Sequence, residues 1–258
     1  MKASSLRPGA AARLMEIDKV LERAYGTPER SLGNKDDPLD EAIYIILSFQ
    51  TDVARAGTTW SNLREAYSTW DAVEHAQVNS IAAVLREGGL QYQKARTIQH
   101  LLSEVRRLAG DLSLDLLQSM ADCEAERFLT RLPGLSWKAA RCILLYSLDR
   151  AMFPVDSNTF RILVRNGVLS RRAVYRRKAL HDKLQAAVPD TRRRALHVNL
   201  VVHGQQTCLP RIPQCSRCHL RNTCPKIGVH TSEIRATPGI YEIVKLRPGR
   251  THEKRSTR

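Results

Sequence analysis

An all-α fold is what this chain predicts, and three observations predict it. Segment after segment repeats apolar residues at helical spacing, and Gly and Pro punctuate the segments. With 43% hydrophobic residues among 258, the chain can fill a core, as one large domain or two small ones, without staples.

The charge balance narrows the partners. Forty-one Lys and Arg against 26 Asp and Glu give a formal charge of +15. An anionic partner follows, and phosphate backbones, acidic membranes and ribosomal surfaces all fit that description. The longest apolar runs, such as Ala42 to Leu47 and Cys142 to Tyr146, fall far short of the roughly 20 residues a spanning helix needs, so no membrane partner is expected. Arg7 and Arg13 interrupt the start of the chain before an apolar core builds up, so no secretory signal is expected either. The expected location is the cytoplasm, in association with the nucleoid. In that reducing setting six cysteines point to metal ligation or buried thiols rather than disulfides.

In chain order, residues 1 to about 9 read as a loose tail. From Ala10 to Tyr25, Leu14, Ile17, Val20 and Leu21 recur at helical spacing until Gly26-Thr27-Pro28 stops the run. A polar linker, Gly33 to Pro38, marks a plausible boundary. Asp37-Pro38 then opens a helix whose Ile43, Ile45, Ile46 and Leu47 are hydrophobic enough for burial on most sides. Ser48-Phe49-Gln50-Thr51-Asp52 breaks that helix, and Asp52 suits the cap of the next one, which carries Trp60, Leu63 and Tyr67. Gly88-Gly89-Leu90 turns into a helix whose stripe of Ile98, Leu101, Leu102, Val105 and Leu108 ends at Gly110. Two short helices, Leu112 to Ser119 and Glu124 to Thr130, lead to the stretch around which the chain is organised.

That stretch is LPGLSWKAARCILLYSLDRAMFPVD, Leu132 to Asp156. Leu132-Pro133-Gly134-Leu135-Ser136 is a tight turn feeding a helix from Trp137 to Leu148. A helix start offers free N–H groups and a positive dipole end, suited to phosphate. Lys138 stands in the first helical turn. The eight residues from Asp149 to Asp156 reach roughly 26 Å if extended, enough to double back and set Asp156 opposite Lys138. An amine can attack a sugar carbon and a carboxylate can move protons or stabilise positive charge. Spacing alone also allows a solvated Lys and an Asp that merely caps the helix beginning at Ser157. If the position of Ser136 requires positive φ, it carries strain. Beyond Asp156, helical patterns continue through Phe160 to Arg165, Lys178 to Ala187 and Arg194 to His203. The intervening basic runs RRAVYRRK and TRRR hold much of the excess charge.

Cys208, Cys215, Cys218 and Cys224 follow a Cys-x6-Cys-x2-Cys-x5-Cys spacing. Four thiolates this close can surround a [4Fe-4S] cluster or a tetrahedral zinc; a single Cys-x-x-Cys knuckle tilts the choice towards iron–sulfur. Cys123 and Cys142, on helical segments, read as buried small hydrophobes.

LPGLSWKAA, followed by the Asp of FPVDSNTFRIL and then by the four-cysteine spacing, resembles the endonuclease III family of helix-hairpin-helix DNA glycosylases over roughly residues 10 to 228. The resemblance implies that Lys138 is the nucleophile of glycosylase and abasic-site lyase chemistry, that Asp156 is its carboxylate partner, and that the four cysteines hold a [4Fe-4S] cluster. It implies further that Gln50 fills the gap left by an everted base and Leu90 wedges into the stack. By the same resemblance Lys94 meets backbone phosphate, the hairpin of Gly134 and Ser136 grips the strand, and Arg211 presents charge from the cluster loop. The relatives usually place an Asp three residues after that Gln, whereas here Val53 stands there and Asp52 precedes it. To attack, Lys138 must be neutral, so its pKa is expected to be lowered.

The resulting expectation is an all-α protein of two lobes: a helical barrel over 36–150, a cluster lobe made from 10–35 plus 151–228, and a basic extension over 229–258. It acts as a monomer on double-stranded DNA that carries a damaged base, an oxidised pyrimidine by family habit, or an abasic site. Mismatched thymine, uracil or modified cytosine are alternative substrates. The rivals from other classes are a non-catalytic DNA-binding module and a zinc-stabilised nucleic-acid binder.

Overall fold

A computed structural model describes residues 6–26 and 33–229; Thr27 and Pro28, expected to end the first helix, and nearly all of the basic extension lie outside the described residues. Eleven α-helices appear among them: α1 (Ala10–Tyr25), α2 (Pro38–Leu47), α3 (Val53–Ala66), α4 (Trp70–His75), α5 (Val78–Val84), α6 (Gln91–Ala109), α7 (Asp122–Arg131), α8 (Trp137–Tyr146), α9 (Ser157–Arg165), α10 (Lys178–Ala186) and α11 (Asp190–Gln206). The described residues form no strand beyond a single bridge between Leu6 and Leu169. That bridge, with the Arg7 amide donating to the Val168 carbonyl at 3.0 Å, corrects the expectation of a loose tail up to residue 9. None of the described helices is long and apolar enough to cross a membrane.

The sequence signals act as physical chemistry says they should at α2. Asp37 accepts from the Leu39 and Asp40 amides, Pro38 takes the first helical position where no N–H is needed, and the helix that follows is buried nearly all round. Gly110, with φ 91°, ends α6 as expected. The helix expected over Trp137 to Leu148 is two residues shorter, because the chain leaves it at Ser147 to return towards Asp156.

Two clusters of buried side chains form. One gathers Leu39 to Met152, with α2 and α8 buried against each other and α6. The other unites α1, through Leu14, Ile17 and Leu21, with Phe153, Val155 and side chains of α9, α10 and α11. Arg192 fastens α1 to α11 by ion pairs with Asp18 at 2.7 Å and Glu22 at 2.7 Å. Arg193 and Arg194 also turn inward, onto Ala151 and onto Leu145 and Asp149. The arginines of TRRR are therefore engaged within the protein, whereas Arg171, Arg172, Arg176 and Arg177 of the preceding run are exposed.

A buried ion-pair network joins the two clusters. Arg141 of α8, 1% exposed, pairs with Glu126 of α7 and Asp182 of α10, and Lys178 stands 3.3 Å from Glu126. Removing one member of a buried pair leaves the other charge stranded, so Arg141→Leu is expected to cost about 3 kcal/mol, with Lys178 compensating part of the loss. For a chain of this size that is a drop of roughly 6–12 °C in melting temperature, read by thermal denaturation.

Candidate active site and DNA interface

The hairpin between α7 and α8 is built around Gly134. Its φ of 80° favours glycine, and a Cβ there would meet Thr97 Cγ2 at 2.6 Å and Ile46 Cδ1 at 3.3 Å, so the turn lies directly on α6 and α2. Ser136 is not strained: with φ −98° and ψ 173° it is extended, and its hydroxyl caps α8 by accepting from the Ala139 amide at 3.4 Å. The concern about positive φ belongs to Gly134 alone.

Lys138, half-buried one residue into α8, interacts with Cys142 one turn further on. Asp156 caps α9: one carboxylate oxygen accepts from the Thr159 amide at 2.7 Å and the other from Asn158 Nδ2 at 2.8 Å. The cap that spacing alone allows for Asp156 is therefore present. Lys138 and Asp156 lie close enough to shift each other's protonation. Burial works against the Asp156 charge, but buried His197, the Thr159 amide, Lys138 and Asn158 outweigh it and hold this carboxyl below its usual range.

The lowered pKa expected for Lys138 is overturned. Burial does oppose its charge, yet Cys142, Asp156, Tyr175 and Glu41 surround it and raise the pKa above the ordinary lysine value. The environment is acidic, not cationic, and that is the physical reason.

Glu41, Tyr175, Cys142 and His197 are the neighbours that the sequence did not single out. Glu41 is fully buried on α2, where the Asn34 side chain at 2.6 Å and the Lys35 amide at 2.7 Å hold its oxygens; burial pushes it up to about 7 against the pull of these bonds and of Lys138. A carboxylate inside PLDEAIYIIL, a helix otherwise apolar on most sides, was the available signal. Burial drives Tyr175 up to about 12, with Asp156 adding to the effect, and Cys142 up to about 11. Cys142 is buried as expected; Cys123 is exposed, contrary to expectation, because its place on α7 faces outward.

His197 of α11 is pushed down to about 4 by burial, with Asp156 opposing and Lys138 adding to the shift. Its folded pKa lies below the unfolded value near 6.5, so the native state binds fewer protons between pH 4 and 6.5, and stability is lost as pH falls through that window. Glu41 acts with the opposite sign, because its raised folded pKa favours the native state at low pH. His197→Phe is therefore expected to lose less melting temperature between pH 7 and pH 5 than the wild type, and Glu41→Gln to lose more.

Two turns, one after α2 and one before α6, present the residues expected to enter DNA. Gln50 and Leu90 are both exposed and both left-handed, with φ 51°, a conformation that costs a non-glycine residue about 1 kcal/mol or more. Asp52 is the cap of α3, accepting from the Arg55 amide at 2.9 Å. Lys94 is corrected: it is 2% exposed, and its amine donates to the Leu47 carbonyl, the Gly88 carbonyl and Thr51 Oγ1 at 2.6–2.7 Å, so it has no donor left for phosphate.

The four cysteines come together after α11. Cys208 is buried and the other three are half-buried, around a cavity also lined by Arg165, Asn166, His203 and Gln214. Burial, and the charges the neighbouring thiols would carry, push Cys218 up to about 11. Arg165 Nη1 lies 3.3 Å from the Cys208 sulfur, and the Lys226 amide 3.4 Å from that of Cys224. Four thiols that repel one another as anions, with N–H groups aimed at sulfur, fit a cationic metal centre of the thiolate-bound kind. Arg211 and Ile212 stand exposed on the loop between the first two cysteines. Hydrogen bonds link this loop to the Asp156 cap: Arg161 donates to the Cys208 carbonyl and to Asn158 Oδ1, each at 2.9 Å, and Asn158 donates to Asp156. A Cβ on Gly204 would lie 2.5 Å from Asn158 Cβ, so the bare backbone of α11 leaves room for that link.

No family model matches the chain. The endonuclease III of Sulfolobus acidocaldarius is 31% identical over 182 residues, 69% of this chain and 78% of that protein. Among solved structures, a non-covalent endonuclease III–DNA complex has a TM-score of 0.73 at 19% identity, covering 84% of this chain and 95% of that one. A thermostable thymine-DNA glycosylase has a TM-score of 0.70 at 19% identity, covering 84% and 98%. With that identity across most of a curated relative, and the same all-helical fold in the solved structures, the chain belongs to the endonuclease III family of DNA glycosylases.

Proposed function

We propose that the protein is a bifunctional base-excision glycosylase and abasic-site lyase acting on damaged duplex DNA. The observation that supports this reading is that Lys138, in the first turn of α8, and Asp156, the cap of α9, act on each other's ionisation, with Glu41, Cys142 and Tyr175 also acting on the amine and both Lys138 and Asp156 partly open to solvent. The Lys138 amine attacks C1′ of an everted nucleotide, the glycosidic bond breaks, and the base leaves. Asp156, kept ionised, stabilises positive charge on the sugar. Opening of the sugar yields an imine on Lys138; loss of a C2′ proton then breaks the C3′–oxygen bond and nicks the strand. Because Lys138 rests as an ammonium, it must first give up a proton, and buried Glu41, at about 7, is the neighbour best matched to receive one near neutrality.

The substrate we infer is an oxidised pyrimidine, the family's usual class. DNA runs between the barrel lobe (36–150) and the cluster lobe (10–35 plus 151–228), with Gln50 and Leu90 entering the duplex and Gly134, Ser136 and Arg211 along the backbone. Cys208, Cys215, Cys218 and Cys224 would hold a [4Fe-4S] cluster. When bound, the cluster supplies cross-linking of the loop rather than electrons, since base excision moves none.

A panel of duplexes, each with one lesion, tests this reading when base release and strand cleavage are scored separately. Release and cleavage in step on oxidised pyrimidines are expected. Release from a thymine mismatch without cleavage would overturn the bifunctional reading, and tight binding without either product would leave a non-catalytic binder.

A further inference from the structure

The buried amine of Lys94 touches nothing assigned to chemistry, yet it bonds to both of the turns that carry exposed Gln50 and Leu90. Its three bonds end on Leu47, at the end of α2, on Thr51, one residue past Gln50, and on Gly88, two residues before Leu90. Thr51 Oγ1 also reaches the Gly88 carbonyl at 2.7 Å, closing a four-membered knot. Two of the partners are carbonyls that only accept, and the Thr51 proton is directed to a carbonyl as well. Three donors are therefore required, and only the ammonium has three. Gly88 adds a steric condition, since a Cβ there would come within 2.8 Å of Thr59 Oγ1 and 3.5 Å of Lys94 Nζ.

The surface above this knot is unusual. Four of the six large hydrophobic residues exposed among the described residues lie on or beside these turns: Phe49 at 38%, Val53 at 44%, Leu90 at 43% and Tyr92 at 49%. Gln50 and Leu90 share the same left-handed conformation. Left-handed backbone at non-glycine residues persists where surrounding structure holds it, and a buried charge locked to both turns is such a hold.

We infer that Lys94 is a positioning residue, coupling the Ser48–Asp52 turn and the Gly88–Leu90 turn into one rigid two-pronged probe that enters the duplex, with Phe49 and Gln50 on one prong and Leu90 on the other. This rests on the glycosylase reading, since the probe serves to occupy space left by an everted nucleotide. Phe49 offers a flat face on which an orphaned base stacks, and Leu90 separates the neighbouring step. Preorganisation is the gain: two free turns would each have to be ordered on binding, whereas coupled turns arrive in place.

The test uses the full chain and a duplex with a tetrahydrofuran abasic analogue beside 2-aminopurine, whose fluorescence rises on unstacking. Wild-type protein is expected to raise the fluorescence. Lys94→Met should lower that rise at least threefold while leaving the slope of log affinity against log salt unchanged, because Lys94 meets no phosphate. A salt slope reduced by about one with the fluorescence rise intact would restore the phosphate role and overturn the proposal. Unchanged fluorescence and slope in a folded variant, or no rise with wild-type protein, would overturn it too. Thr51→Val removes one acceptor and carries the test if Lys94→Met does not fold: a partial loss supports the coupling, and a wild-type signal refutes it. The readout needs no catalysis, so a wild-type protein that unstacks the reporter yet releases no base from any lesion would sink the glycosylase reading and leave the probe standing.

Discussion

Lys138→Gln is expected to abolish borohydride-trapped adducts with abasic DNA and to lower strand cleavage at least a thousandfold, because it removes the amine that Cys142, Asp156, Tyr175 and Glu41 act upon. Binding to the same DNA should survive, since the hairpin backbone, the probe turns and the cluster loop are untouched. The variant also carries an electrostatic signature. Lys138 holds the Glu41 pKa down, so without it Glu41 should titrate higher than about 7. The wild-type rate has its own sign. With the Lys138 pKa raised, the neutral fraction is small at pH 7 and grows about tenfold per pH unit. Adduct formation is therefore expected to rise from pH 7 to 9. Adducts trapped at the wild-type rate by Lys138→Gln would assign the nucleophile elsewhere.

Asp156→Asn is the second large effect, and its value lies in what it leaves alone. Asn can cap a helix about as well as Asp, so the bond from the Thr159 amide and the start of α9 should persist, and the melting temperature should hold to within a few degrees. The charge, however, disappears. Base release should fall by a factor of about 10² to 10⁴, the range expected when a positioned charged group is removed from a reacting centre. Single-turnover release on a lesion duplex measures this. If the variant loses stability rather than rate, Asp156 is a structural cap and the chemistry lies elsewhere.

Much of this architecture is legible in the residues because long helices advertise themselves. The stripe Ile98, Leu101, Leu102 and Val105 on α6, and Leu14, Ile17 and Leu21 on α1, are buried as their spacing requires. Helices α4 and α5 escaped notice: at six and seven residues they bury only one or two side chains each, Val73 and then Ile81 and Ala82, too few to show a period. What the sequence hides is direction and environment. TRRR and the Lys of the Leu90 turn look alike as cations offered to DNA, but Arg192 reaches Asp18 and Lys94 reaches backbone carbonyls. The site shows the same divide. Motifs picked out Lys138 and Asp156, while Glu41 and His197 enter only once α2 and α11 pack around them. The sign of the Lys138 shift depends on those neighbours and could not be read beforehand.

The attachment of α1 to the C-terminal cluster of side chains has a consequence for synthesis on the ribosome. Leu39 to Met152 can collapse as a contiguous stretch while later residues are still being made. Helix α1 emerges first but finds its partners last: Arg192 follows Asp18 by 174 residues. Until then Leu14, Ile17 and Leu21 remain an uncovered greasy face, the segment a chaperone would be expected to hold.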